Sequence, residues 1–209
     1  GMLRHIYSFD LALAAEQVAA TFGKKAQNIV DTNVALLEAG HRWAAAHLDF
    51  CYRIPGKRST EPQVVANGNT ALALGIVASG MDICAMYPIT PATSASHYLS
   101  EIFETVGGIV HQAEDEIAAC AFAIGASYAG KCAVTITSGP GFSLKQEGIG
   151  LAVMGEIPLV VVNVQRGGPS TGQPTKTEQG DLMTAIFGSH GDAPKVVMAP
   201  STIEDCFYA

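Results

Sequence analysis

From Gln63 onward, apolar positions fall into short β-branched runs separated by longer stretches with helical spacing. Val64–Ala66 is expected as a short strand, and Asn67-Gly-Asn69 turns the chain into a helix reaching Ala78. Asp82–Tyr87 reads as the next strand, followed by Pro88-Ile-Thr-Pro91 and a helix from Thr93 or Ser94 past Leu99, Ile102 and Phe103. Gly108–Gln112 and Cys132–Thr137 are expected strands on either side of a helix opened by Glu116. Ser138-Gly-Pro-Gly141 leads into a helix to Met154. Pro158–Val164, the most apolar run, is expected to be buried on both faces of a parallel sheet. A glycine-rich loop, a helix around Glu178–Phe187 and a strand at Lys195–Met198 complete the pattern. Regular alternation of strand and helix predicts an α/β fold, a three-layer sandwich with a mainly parallel sheet and right-handed crossovers. Ligands in such sheets gather beyond the carboxyl ends of the strands.

Residues 1–60 follow a different rhythm. Asp10–Gly23 carries Leu11, Ala14, Ala15, Val18, Ala19 and Phe22 at helical spacing. A second helix is expected from Asp31 or Thr32, with Leu36, Leu37, Trp43 and Leu48 along it and Gly40 as a weak point. Two or three helices are expected in all, with no sheet of their own. Arg53–Pro62 supplies two prolines, a glycine and clustered basic residues, a linker signature. The expected division is a helical extension and linker over 1–60 and the α/β domain over 61–209. Gly1 ahead of Met2 reads as a cloning remnant, and Ser201–Ala209 as the first turns of an amphipathic helix cut short, so a fragment is expected.

Composition narrows the function classes. The chain is 48% hydrophobic and only 15% charged, which implies extensive burial or a broad contact with another chain. A net charge of −7 and few aromatics argue against a nucleic-acid surface. No apolar run reaches the length of a membrane span, and no secretory leader is visible. Five widely spaced cysteines form no C-x-x-C pair, so no metal or iron–sulfur site is expected in this chain, and a reducing, cytoplasmic compartment fits.

Three expected strand-end loops carry chemically pointed residues. In Tyr87-Pro-Ile-Thr-Pro91, two prolines fix the backbone around Thr90, which is either a ligand-binding hydroxyl or a helix cap. Glu116 precedes a helix rich in alanine and glycine, so it is either a tunable acid beside a close-approach surface or an ordinary first-turn carboxylate. Arg166, in Gln165-Arg-Gly-Gly-Pro-Ser-Thr-Gly172, is suited to a two-pronged grip on a carboxylate or phosphate, or else to a structural ion pair. Ser138-Gly-Pro-Gly141 sits at a helix start yet lacks the lysine and hydroxyl of a phosphate loop, and with Asn67-Gly-Asn69 it reads as a close-packing turn. The histidines offer no ligand spacing and no hydrolase triad.

Taken together and in order, several motifs resemble a known family. Glu116-x-x-Ala-Cys-x-x-Ala-x-Gly125 with Ser-Gly-Pro-Gly141 is similar to the pyrimidine-binding domain of thiamine-diphosphate enzymes. Tyr87-Pro-Ile-Thr-Pro91, Ala113–Ala119, Ser138–Ser143 with Gln146-Glu-Gly148, and Arg166–Gly172 with Pro174-Thr175 resemble the alpha subunit of 2-oxoacid:ferredoxin oxidoreductases, 2-oxoglutarate type. Residues 24–48 resemble the end of the gamma domain that some members carry ahead of alpha. The resemblance implies that Glu116, rather than Glu114, hydrogen-bonds the N1′ atom of the cofactor's aminopyrimidine and favours its imino tautomer. It implies that Arg166 pairs with the substrate carboxylate and that Thr90 meets the substrate near its reacting end. Tyr87, Pro88, Ile89, Ser138 and Gly139 are the implied cofactor-binding set. The implied reaction is oxidative decarboxylation of a 2-oxoacid to an acyl-CoA with reduction of ferredoxin. The resemblance places magnesium and a 4Fe–4S cluster on a beta subunit, in a dimer of heterodimers with coenzyme A as co-substrate. A pyruvate or branched-chain enzyme of the same class, or a non-catalytic subunit-interaction domain, are the other readings.

Overall fold

Four short runs of small and β-branched residues pair side by side and in parallel in the computed structural model, which describes residues 1–56 and 59–209. Lys57 and Arg58, part of the expected linker, lie outside the described residues. Chain contacts divide the protein into a unit over Gly1–Gln63 and a unit over Val64–Ala209.

The first unit is helical. α1 (Met2–Ile6) and α2 (Leu11–Phe22) both pack on α3 (Gln27–His47). Asp10 caps α2 by accepting the Ala12 N–H at 2.8 Å. The second expected helix begins four residues early, at Gln27, and runs through Gly40 without a break. Gly40 instead serves close packing: a Cβ there would lie 3.4 Å from the Met2 nitrogen and 3.5 Å from the Gly1 Cα.

In the second unit, α4 (Gly68–Ala78) leads to β1 (Ile83–Met86), then α5 (Thr93–Ile102) and a 3-10 turn over Phe103–Val106. β2 (Ile109–Gln112) is followed by α6 (Glu116–Tyr128) and β3 (Ala133–Thr137). α7 (Gly139–Leu144) and α8 (Gln146–Met154) precede β4 (Val160–Asn163), with α9 (Leu182–Phe187) and α10 (Asp205–Tyr208) after it. The sheet order is β2-β1-β3-β4, and Ile83 stands between Ile109 and Ala133 in register. Successive strands therefore leave the centre in opposite directions, which creates a switch point between β1 and β3.

Period-two alternation sends different residues to the two faces. Cys84, Val134 and Ile136 pack under α4 and α5 with Ala73, Ile76, Ala95 and Leu99. Ala85 and Ala133 meet Ala123 of α6, and Cys120 and Ile124 of α6 meet Ala152 of α8. Helices thus cover both faces, and the three-layer α/β architecture read from the sequence holds. No described helix is long and apolar enough to cross a membrane.

Three strand expectations fail for one reason: a strand needs a partner. Val64–Ala66 is not a strand; Val64 and Val65 are exposed and pair with nothing. Lys195–Met198 is likewise irregular, with Val196 and Met198 exposed despite their β-forming composition. The apolar run at Pro158–Val164 forms a strand only over Val160–Asn163, paired to β3 alone and half-exposed, so the fully buried strand is β3 instead. The helix expected from Glu178 begins only at Leu182, and the one expected to run from Gly141 to Met154 breaks at Lys145.

Asp82 fastens the amino end of β1, accepting the Cys132 N–H at 2.8 Å with Lys131 Nζ at 3.5 Å. That backbone bond, more than the lysine, holds its carboxyl below the ordinary value of 3.8. A depressed carboxyl stabilises the fold above its unfolded pKa and loses that contribution as pH falls through the folded one. Asp82→Asn should therefore lower the thermal midpoint at neutral pH, and the difference from wild type should close in acid below the usual carboxylate range. A pH-independent difference between the two melting curves would contradict this assignment.

Candidate functional site

Parallel pairing places the four strand-end loops on one edge of the sheet. Tyr87 follows β1, Glu116 opens the helix after β2, Ser138 follows β3 and Arg166 follows β4. Three inter-strand steps make that edge about 14 Å wide.

Glu116 stands in the first turn of α6, next to the residue that caps the helix. Asp115 caps α6, its Oδ1 accepting the Ala118 N–H at 2.7 Å, so Glu116 takes no part in the cap. Glu116 is half-buried, whereas Glu114 is exposed. The glutamate lies across the start of α7. A Cβ on Gly141 would sit 2.6 Å from the Glu116 Cγ and 2.9 Å from its Oε1, and closer still to the Thr137 Oγ1. Glycine at 141 therefore makes room for the acid.

Arg166 is buried, 6% exposed, and it ties two loops together. Its Nη1 donates to the Thr90 carbonyl at 2.6 Å and its Nη2 to the Thr171 carbonyl at 2.7 Å. Its Nε has no partner, and no described acidic side chain lies within 4 Å. The structural ion pair allowed by the sequence is thus absent among the described residues. A buried guanidinium held by carbonyl dipoles without an anion is electrostatically incomplete.

Thr90 meets Arg166 through its carbonyl rather than its hydroxyl, and its side chain is exposed. Asn69 braces the same loop, donating to the Pro91 carbonyl at 2.9 Å and to Ser94 Oγ at 2.7 Å. Tyr87 is exposed, Pro88 is half-buried, and Ile89 packs on the core. Ser138 is buried with an unpartnered Oγ. Gly139 is pressed by Asp181, whose Oδ2 accepts from Asn163 Nδ2 at 3.0 Å while its N–H donates to Gln165 Oε1 at 2.9 Å. The structure thus joins Thr90 to Arg166 directly, and sets Glu116 beside the turn that begins with Ser138 and Gly139.

Among the described residues, four buried polar atoms lack partners: Ser138 Oγ, Gln146 Nε2, Asn163 Oδ1 and Arg166 Nε. All four belong to segments that follow β3 or close β4. Buried polar groups are ordinarily paired, so each of these atoms has hydrogen-bonding capacity left over. A shallow hollow lined by Met198, Pro200, Asp205 and Tyr208 lies elsewhere and contains none of these residues. No group of three or more potential metal ligands occurs among the described residues.

The residue that sequence reasoning passed over is Lys145. It has no exposed surface and donates through Nζ to the Thr135 Oγ1 of β3. Burial pushes its ammonium toward the neutral form, while Cys120, Glu116 and Cys84 pull the other way. Burial also pushes the Cys84 thiol up to about 12 and raises Cys120, so neither is a ready nucleophile.

Glycine substitutions test the packing around the acid. Gly141→Ala should destabilise the protein by about 1–3 kcal/mol, because Thr137 and Glu116 must move. Gly125→Ala, in open space on α6, should leave stability unchanged or raise it. Equal effects in urea unfolding would remove the claim that Gly141 is there for Glu116.

The sequence profile described as pyruvate flavodoxin/ferredoxin oxidoreductase, thiamine diphosphate-binding, matches residues 75–209. The chain is 43% identical to the 2-oxoglutarate oxidoreductase subunit KorA of Mycobacterium tuberculosis over 99% of its own length and 33% of that protein. It is 51% identical to the 2-oxoglutarate synthase subunit KorA of Archaeoglobus fulgidus over 68% of its length and 41% of that protein. Among solved structures, the fold superposes with a TM-score of 0.86 and 40% identity on a 2-oxoglutarate:ferredoxin oxidoreductase from Magnetococcus marinus. That structure has 2-oxoglutarate, coenzyme A and succinyl-CoA bound, and the match covers 98% of this chain and 36% of the other. The matches thus span 33–41% of the length of these relatives.

Proposed function

The chain belongs to the pyruvate flavodoxin/ferredoxin oxidoreductase family through its thiamine diphosphate-binding domain, and on that premise we propose that it is the alpha-subunit part of a 2-oxoacid:ferredoxin oxidoreductase acting on 2-oxoglutarate. The observation that carries the reading is the buried Arg166, which lacks an anion and lies on the same sheet edge as the half-buried Glu116. The 2-oxoglutarate choice is supported by the names of the relatives at 43–51% identity. The helical unit, matched along with the rest of the chain in the 43% identical relative, fits the end of a gamma-like domain.

The residues present fit thiamine diphosphate. An acid faces a glycine cradle, and the unpartnered Ser138 Oγ and Arg166 Nε belong to the loops after β3 and β4 on the same edge. When bound, the cofactor supplies the carbon nucleophile and electron sink that decarboxylation of a 2-oxoacid requires.

Within that chemistry the chain's own groups have separate tasks. Glu116 accepts the hydrogen bond of the aminopyrimidine N1′ and holds the proton there. Arg166, oriented beforehand by the Thr90 and Thr171 carbonyls, offers its charge to the substrate carboxylate. Tyr87, Pro88 and Ile89, in the loop after β1, and Ser138 and Gly139, after β3, would hold the ring, with Thr90 toward the reacting end.

Magnesium and the diphosphate are assigned to a partner beta subunit, together with the 4Fe–4S cluster that passes electrons to ferredoxin. An exposed apolar strip on α6, with Ile117, Ala121, Phe122 and Gly125, supports a broad subunit contact there. The assembly is read as a cytoplasmic dimer of heterodimers.

Glu116→Gln tests this reading, because it keeps shape while removing the charge. In the enzyme reconstituted with its partner, 2-oxoglutarate-dependent ferredoxin reduction should fall about 10²–10³-fold with assembly intact on size exclusion. Undiminished turnover would refute the catalytic assignment. The chain without its partner should reduce no dye from 2-oxoglutarate; robust activity alone would overturn the shared site.

A further inference from the structure

Lys145 interrupts what the sequence presents as one helix, at the junction of α7 and α8. From there its side chain runs inward to β3, where Nζ finds the Thr135 hydroxyl. Space for it exists because this face of the sheet is built from Ala85, Ala133 and Thr135 opposite the alanines of α6. An ammonium carries three N–H donors, and only one has an acceptor among the described residues.

Packing alone gives no reason for a cation here. A methionine would fill the same space, and replacing buried charge by apolar volume is often neutral or stabilising. Gly141 and Gly148 on either side of Lys145 press on Glu116 and Cys120 of α6, so the lysine runs beneath that helix, with Cys84 of β1 beyond the sheet; no ion pair or hydrogen bond joins Nζ to any of the three among the described residues. Of these only Glu116 is a carboxylate, and it lies over Gly141, one turn before the lysine in sequence.

We propose that Lys145 is a positioning residue for the reaction: a sealed counter-charge that holds the Glu116 carboxylate toward the aminopyrimidine ring. The proposal rests on the reading of Glu116 given above and assigns no contact between Lys145 and substrate or cofactor. Thr135 takes part as the hydroxyl that aims the ammonium, and the bend at the α7–α8 junction lets the side chain turn inward.

A double-mutant cycle on the full-length protein with its partner subunit tests it, with thiamine diphosphate binding in magnesium buffer measured by calorimetry. Lys145→Met should weaken binding about tenfold when Glu116 is present, the size of coupling that interacting charged residues show. In a Glu116→Gln background the same change should have no further effect. The thermal midpoint of Lys145→Met should equal or exceed that of wild type. Thr135→Val, which keeps the lysine but removes its acceptor, should weaken binding in the same direction and by less. Wild-type affinity in Lys145→Met overturns the proposal. So does a loss that persists undiminished beside Glu116→Gln, or one accompanied by a marked fall in thermal midpoint. If Glu116→Gln itself binds like wild type, the reading of Glu116 fails and takes the lysine with it; an impaired Glu116→Gln beside a normal Lys145→Met sinks the lysine alone.

Discussion

Helix α6 can lie on this sheet only because little stands between them. Ala123 meets Ala85 and Ala133, and Ala119 is fully buried on the same helix. Bulkier side chains on either surface would lift the helix and carry Glu116 away from the strand edge. The close approach brings the first turn of α6 against the start of α7, where Gly141 receives the acid. It also leaves the narrow space that Lys145 fills. Much of the site's geometry therefore follows from the absence of side-chain bulk.

The opposite face of the same strands is conventional. Val134, Ile136, Leu99 and Phe103 form an aliphatic and aromatic core beneath α4 and α5. Its contribution is rigidity, since large side chains in close packing fix the strands from which the loops emerge. One sheet thus has a filled side that anchors and a thinned side that hosts charge. Residues one apart on β3 serve those different ends: Val134 joins the core, while Thr135 accepts from a buried lysine.

The sequence made the alternation of strand and helix legible because buried parallel strands need β-branched runs and their crossovers need helical spacing. Glu116 and Arg166 were visible as candidates because each follows closely on a strand, Glu116 at the start of the next helix and Arg166 in a glycine-rich loop. Three things were not legible. The apolar Pro158–Val164 looks central, but its rank in the sheet depends on which neighbours arrive, and only β3 does. Lys195–Met198 has the composition of a strand and no ladder to join. Lys145 follows a helical pattern in which lysine normally means solvent, so its burial emerges only when the break after Leu144 is seen. A clue was present in Thr135, a polar residue in the middle of the most buried strand. The cap itself was not anticipated: Asp115 caps α6, and Glu116 follows it in the first turn.

Arg166 illustrates how folding prepares a group before any visitor arrives. Two of its three guanidinium nitrogens are engaged with main-chain carbonyls from separate loops, so the long side chain has already surrendered its rotational freedom. An incoming acid would not have to immobilise it, which makes the encounter less costly in entropy. The same engagement leaves Nε, itself buried, as the guanidinium nitrogen without an acceptor among the described residues, so an anion would have to be enclosed with it to complete its hydrogen bonding.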